Sequence, residues 1–125
     1  YLNNVLQLDQ KHIEALYARG MLVQEQGYPD SALIDYEKII SIDANHVDAT
    51  YNTGYVHLLE KRYDDAVLWF TKVLQIDAKQ MRAMYNRGLA YELKGDKEAA
   101  QKEYREVLRL EPGFDLALRG LNRLR

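Results

Sequence analysis

Shifting the sequence against itself by 34 residues superimposes Gly20, Gly54 and Gly88. The same shift aligns Ala15 with Ala49 and Ala83, Tyr17 with Tyr51 and Tyr85, and Ala32 with Ala66 and Ala100. Other columns keep their chemistry. Tyr36, Phe70 and Tyr104 are aromatic, Ile39, Val73 and Val107 are β-branched, and Ile42, Ile76 and Leu110 are aliphatic. Asp9, Asp43, Asp77 and Glu111 carry the register back ahead of the first full copy. A fixed period of this length means look-alike units. Each is too small to bury its apolar side alone, so neighbours must stack.

Within each copy the apolar spacing is helical. Leu16, Gly20 and Val23 share one face, and Ala32, Tyr36 and Ile39 share another further on. Between the two faces lies a breaker: Gln26-Gly27-Tyr28-Pro29-Asp30, then Lys61-Arg62-Tyr63-Asp64, then Lys94-Gly95-Asp96. Gly27 and Gly95 suit the left-handed residue that closes a helix. Pro29 suits the first turn of the next helix and Asp96 its N-cap. Each copy therefore reads as two antiparallel helices of about fourteen residues. A mid-helix glycine costs about 1 kcal/mol relative to alanine. Three of them in register predict a close helix crossing, with Ala32, Ala66 and Ala100 as the facing small residues. The aromatic at Tyr36, Phe70 or Tyr104 is expected to fill the seam to the next copy.

The pattern resembles the tetratricopeptide repeat family. Its signature of large residue, Gly, Tyr, Ala, aromatic, Ala and Pro reads Leu16, Gly20, Val23, Ala32, Tyr36, Ile39 and Ala44 in the first copy. In the third copy it reads Met84, Gly88, Tyr91, Ala100, Tyr104, Val107 and Pro112. The resemblance covers residues 13–114. It departs from the family pattern in having no opening Trp, and in Arg19, Thr53 and Arg87 where leucine precedes the glycine. The expected fold is an all-α, right-handed α-solenoid of antiparallel helix hairpins. Its expected parts are a partial repeat of a second helix only (1–12), repeat 1 (13–46), repeat 2 (47–80), repeat 3 (81–114) and a C-terminal capping helix (115–125). Phe114, Ala117, Leu118, Leu121 and Leu124 form the expected buried stripe of that cap. The chain opens on Tyr1, not Met, and reads as a fragment of a longer protein.

Composition narrows the function classes. The chain has no cysteine, which excludes disulfides, thiolate metal sites and thiol catalysis. With 17 basic and 19 acidic residues the net charge is −2, too balanced to favour nucleic acid. No apolar run approaches the ~18 residues of a membrane span. Ser31 and Ser41 have no nucleophile-elbow context, and no Gly-rich phosphate loop occurs. His12 and His46 stand 34 apart at the expected mouths of first helices, and a metal would need further ligands close by. They read as exposed helix-start residues. Asp30, Asp64 and Asp65 read as acids favourable to a helix dipole. The expectation is therefore no catalytic residue, no metal and no cofactor.

Stacked hairpins curve and leave a concave face lined by first helices. The resemblance implies that ligands, extended peptides or helices, are held there. The candidate groove residues are Glu14, Tyr17 and Met21 in repeat 1, Asp48, Tyr51, Asn52 and Tyr55 in repeat 2, and Arg82, Tyr85, Asn86 and Leu89 in repeat 3. The tyrosines offer large contact area with a polar tip, and the asparagines offer amides that a peptide backbone can use. Packing between neighbouring helices is the competing role for both. Some family members grip acidic chaperone tails with a carboxylate clamp. Tyr17 and Met21 stand where that clamp wants Lys and Asn, and Asn86 where it wants Arg, so only Asn52 and Arg82 suit it. The expected function is a non-catalytic adaptor or scaffold that binds a protein or peptide partner. The alternatives are head-to-tail self-association and a targeting module of a larger enzyme. The compartment stays open, with a soluble, cytoplasmic setting favoured.

Overall fold

The computed structural model describes the backbone of residues 2–125 and the side chains of residues 9–125. Among the described residues there are seven helices: α1 (Leu2–Glu25), α2 (Pro29–Ile42), α3 (Val47–Leu59), α4 (Tyr63–Ile76), α5 (Met81–Lys94), α6 (Lys97–Leu110) and α7 (Asp115–Arg123). Each helix packs on its sequence neighbour, and α3 also meets α5, and α5 meets α7. The result is an all-α solenoid of stacked hairpins.

The breakers work by backbone geometry. Gly27 and Gly95 close α1 and α5 at φ 89° and 99°. The equivalent residue after α3 is Lys61, at φ 63°, where a side chain is disfavoured. All three turns carry the same long hydrogen bond, from Tyr28 N to Val23 O, Arg62 N to His57 O and Asp96 N to Tyr91 O. This closure satisfies carbonyls that the helix ends orphan. Pro29 opens α2, and Asp96 caps α6 by accepting from Ala99 N at 3.2 Å.

The core repeats with the sequence. Ala32, Tyr36 and Ile39 are fully buried, as are Ala66, Phe70 and Val73, and Ala100, Tyr104 and Val107. The close crossing is present, and the atoms nearest to it belong to an aromatic ring. A Cβ on Gly20 would sit 2.7 Å from Tyr36 Cε1, one on Gly54 2.9 Å from Phe70 Cε1, and one on Gly88 2.9 Å from Tyr104 Cε1. The glycine thus makes room for the aromatic ring of its own hairpin. The ring then reaches the next unit: Tyr36 shares a cluster with Ala49 and Val56.

Three terminal features depart from the sequence reading. Residues 2–12 are not a separate second helix, because α1 runs unbroken to Glu25. Gln10-Lys11 stands where later copies have Ala44-Asn45, Ala78-Lys79 and Pro112-Gly113, so the turn-forming residues are missing. His12 therefore lies inside α1 and not at a helix start. In α7 the buried positions are Ala117 and Gly120, whereas Leu118 is 48% exposed. A Cβ on Gly120 would come within 2.5 Å of Tyr104 Cε2, so the Tyr104 ring lies between Gly88 and Gly120. Arg123 fastens α7 further, with Nε 2.9 Å and Nη2 3.0 Å from the two Glu92 carboxylate oxygens.

Two side-chain pairs change together in the middle hairpin. Tyr36 OH donates to Gln24 Oε1 at 2.7 Å and Tyr104 OH donates to Glu92 Oε1 at 2.7 Å. In the second hairpin the ring is Phe70 and the acceptor's place is taken by Leu58. Arg19 pairs with Asp35 (2.6 Å) and Arg87 with Glu103 (2.9 Å), while the same two positions of the second hairpin are Thr53 and Trp69. A buried hydroxyl needs a partner, and a ring without one is best met by an apolar chain. Burial pushes the Tyr36 hydroxyl up to about 12.

Gly54→Ala is expected to lower stability. The clash with the immobile Phe70 ring costs about 1–3 kcal/mol, which outweighs the ~1 kcal/mol gained in helix propensity. Gly113→Ala meets nothing within 4 Å and should leave the melting temperature unchanged or slightly higher. Equal melting temperatures for wild type and Gly54→Ala would contradict the crossing. In a urea double-mutant cycle, Gln24→Leu alone should cost about 1–3 kcal/mol by stranding the Tyr36 hydroxyl. Adding Tyr36→Phe should restore most of that loss by copying the Leu58–Phe70 solution.

Candidate functional site

The first helices and α7 border an open groove of ≈ 990 Å³. Met21, Gln24 and Glu25 come from α1, and Tyr51, Asn52, Tyr55, Leu58 and Leu59 from α3. Arg82, Tyr85, Asn86, Leu89 and Leu93 come from α5, with Phe114 and Leu116 at the α7 end. Lys61 and Tyr63 add the turn into α4. Leu59 (55% exposed), Leu93 (51%), Leu116 (48%) and Met21 (41%) put apolar surface into solvent along this trough.

Eight of the eleven sequence candidates line the groove: Met21, Tyr51, Asn52, Tyr55, Arg82, Tyr85, Asn86 and Leu89. Glu14, Tyr17 and Asp48 do not. Tyr17 lies in the seam between the first two hairpins, against Tyr36 (centroids 6.1 Å apart) and His46 (5.7 Å). Glu14 and Asp48 are exposed and share the register of Arg82, one turn or more from the lining.

The tyrosine and asparagine ladders are bonded to each other. Asn52 Nδ2 donates to Tyr17 OH at 3.0 Å, and Asn86 Nδ2 donates to Tyr51 OH at 2.7 Å. Each amide thus ties a first helix to the one before it. Tyr51 is only 8% exposed, packed on Phe70 and stacked on Tyr55 with rings 11° from parallel. Burial raises its hydroxyl above the usual tyrosine value, and the Arg82 guanidinium, 5.0 Å from the ring centre, pulls it back. At the third rung Gly120 occupies the asparagine's register, and Tyr85 packs on Tyr104 and Phe114 instead. The ladders are therefore packing elements first, and the solvent-facing lining is mainly Leu, Met and Tyr55.

Gln24, Glu25, Leu58, Leu59 and Leu93 continue the same inward row of the first helices one and two turns further on, where the sequence register also places them. Phe114 and Leu116 carry no such signal, because the sequence presents α7 only as a cap and not as a groove wall. A smaller hollow of ≈ 390 Å³ lies between α2 and α4, bordered by Ile40, Ile76 and Trp69. There Lys72 Nζ sits 4.1 Å from the Trp69 ring centre.

Among the described residues no group of three or more His, Asp or Glu could hold a metal. No described helix is long and apolar enough to cross a membrane. His46 acts as the N-cap of α3, its Nδ1 accepting from Ala49 N at 3.0 Å. His57 Nδ1 accepts from Arg62 Nε at 2.9 Å.

Tetratricopeptide repeat models match residues 17–80 and 81–114. The chain belongs to the tetratricopeptide repeat family, whose fold is typically that of a non-catalytic interaction module. No curated protein matches the sequence significantly. Among solved structures, the Arabidopsis OM64 TPR domain is similar at TM-score 0.86 and 24% identity, covering 94% of this chain and 97% of that one. The second TPR domain of human RPAP3, in complex with the HSP70 peptide SGPTIEEVD, is similar at 0.86 and 23%, covering 93% and 97%. The first TPR of Spaghetti (RPAP3), bound to the HSP90 peptide SRMEEVD, is similar at 0.85 and 24%, covering 91% and 90%.

Burial, and then the Arg62 guanidinium, hold His57 below the usual imidazole value of 6.5, against a weaker upward pull from Asp65 and Asp30. The folded state binds this proton less tightly than the unfolded chain. Stability is therefore complete above that value and falls as pH drops through it. Between about pH 7.5 and about pH 5.5 the wild type should lose more melting temperature than His57→Gln, which keeps an acceptor for Arg62 but cannot titrate. Parallel pH profiles for the two proteins would contradict this assignment.

Proposed function

We propose that the chain is a non-catalytic adaptor or scaffold that holds a peptide or helix of a partner protein in its concave groove. The observation that carries this reading is the largely apolar trough, with Leu59 and Leu93 more than half exposed along it. Contiguous exposed apolar surface on a soluble chain marks an interaction site. Two structurally similar domains are bound to peptides of HSP70 and HSP90, which supports a peptide-binding role for this chain. The lining argues for a different ligand chemistry. Those peptides end in EEVD, whereas this groove supplies Arg82 and Lys61 against Glu25. A partner segment with mixed charge and several apolar anchors fits better than an acidic tail.

Removing Tyr51 is a poor test of binding, because it would open a cavity beside Phe70 costing about 3 kcal/mol. Leu59→Glu with Leu93→Glu changes exposed side chains only. That variant should keep the helical circular dichroism and melting temperature of the wild type. Its affinity for a partner segment should fall at least about tenfold, the loss of ~1.4 kcal/mol. Unchanged partner affinity in the double variant, read by fluorescence anisotropy, would place binding elsewhere.

A further inference from the structure

We propose that the hollow of ≈ 390 Å³ between α2 and α4 is a second ligand site, separate from the concave groove, and that it takes a small organic carboxylate with an apolar body. Its size falls in the range of small-molecule clefts, which are mostly apolar with a few placed polar groups. Ile40, Ile76 and the Trp69 indole supply the apolar lining, and Lys72, Gln75 and Asn45 supply polar groups. The Lys72 ammonium sits 4.1 Å from the Trp69 ring centre, which holds the charge beside the hollow without neutralising it. None of the lining residues is acidic. Asp43 and Asp77, next in sequence to the lining, turn a carboxylate oxygen onto the backbone N–H of Asn45 and of Lys79, at 3.1 and 3.2 Å. Among the described residues Lys72 has no ion-pair partner, and the Trp69 N–H and the Asn45 and Gln75 side-chain amides have no hydrogen-bond partner.

The next seam, between α4 and α6, carries its own acids. There Glu106 stands at the register of Lys72 and accepts from Arg109, at the register of Gln75, at 2.9 Å. Glu103 stands at the register of Trp69 and pairs with Arg87 at 2.9 Å. Met84, a longer side chain, stands at the register of Thr50, which borders the hollow. The first seam keeps a cation over an apolar floor, leaves space beside it and brings no acid to it. A ligand's carboxylate supplies that charge. One ammonium matches a singly charged carboxylate better than a doubly charged phosphate.

Trp69 is the chain's one tryptophan, so its fluorescence reports on the hollow directly. Octanoate and the uncharged octanamide serve as probes on the intact chain. Octanoate should change the emission with a dissociation constant on the order of 1 mM, the strength open to a ligand of its size. Octanamide should bind about tenfold more weakly. Lys72→Met keeps an unbranched stem beside the ring and removes the charge. It should bring octanoate down to the affinity of octanamide at an unchanged melting temperature. Ala44→Phe, at another exposed lining position, fills the hollow and should weaken both probes about tenfold. Leu59→Glu with Leu93→Glu should change neither affinity, which separates this site from the groove. Equal affinity of the two probes, octanoate binding that survives Lys72→Met, or octanoate binding lost with Leu59→Glu and Leu93→Glu would overturn the proposal. Tighter binding at Trp69 by the peptide acetyl-Ala-Ala-Leu than by octanoate would overturn the small-ligand assignment in favour of a polypeptide terminus.

Discussion

The seating of an aromatic ring on a glycine holds each hairpin together. Tyr36 lies on Gly20, Phe70 on Gly54 and Tyr104 on Gly88, at separations that leave no room for a Cβ. A ring is wide enough to touch its own first helix and the next one along. One contact therefore sets both the crossing within a hairpin and the spacing between hairpins. The Tyr104 ring repeats this at the C-terminal end by meeting Gly120, which docks the last helix without a full repeat behind it.

Around that contact the polar groups are arranged so that burial stays satisfied. Gln24 and Glu92 exist where the ring bears a hydroxyl, and Leu58 exists where it does not. Arg87 binds both Thr71 of α4 and Glu103 of α6, so one cation joins two hairpins. Glu103 is raised above the usual carboxylate value by burial, with Arg87 opposing. Its Oε2 and the Arg87 Nε are buried without partners, so this pair secures position at some electrostatic cost. The middle hairpin dispenses with both polar pairs.

The same contacts decide what the groove can offer a ligand. Tyrosines and asparagines that look exposed on a helical wheel are drawn into seams, because each asparagine reaches the tyrosine of the preceding hairpin. What remains at the surface is the row beyond them, Tyr55, Leu59, Leu89 and Leu93, closed by Leu116.

The sequence by itself determined the period, the hairpins, the closing glycines at 27 and 95, and the buried columns at 32, 36 and 39 with their equivalents. These depend on local backbone preference and on apolar spacing, which a linear chain displays directly. It also displayed eight of the groove residues, since the first-helix register names its inner face. Only the tertiary structure decided that each glycine seats the ring of its own hairpin, and that α1 absorbs residues 2–12. It alone removed Tyr17 from the groove, exposed Leu118, and made Gly120 and Phe114 part of the last seam. Those outcomes turn on distances of a few tenths of an ångström between helices, and on the rotation of a terminal helix with nothing beyond it. Periodicity fixes which residues face inward, but not which of two inward neighbours a side chain will reach first.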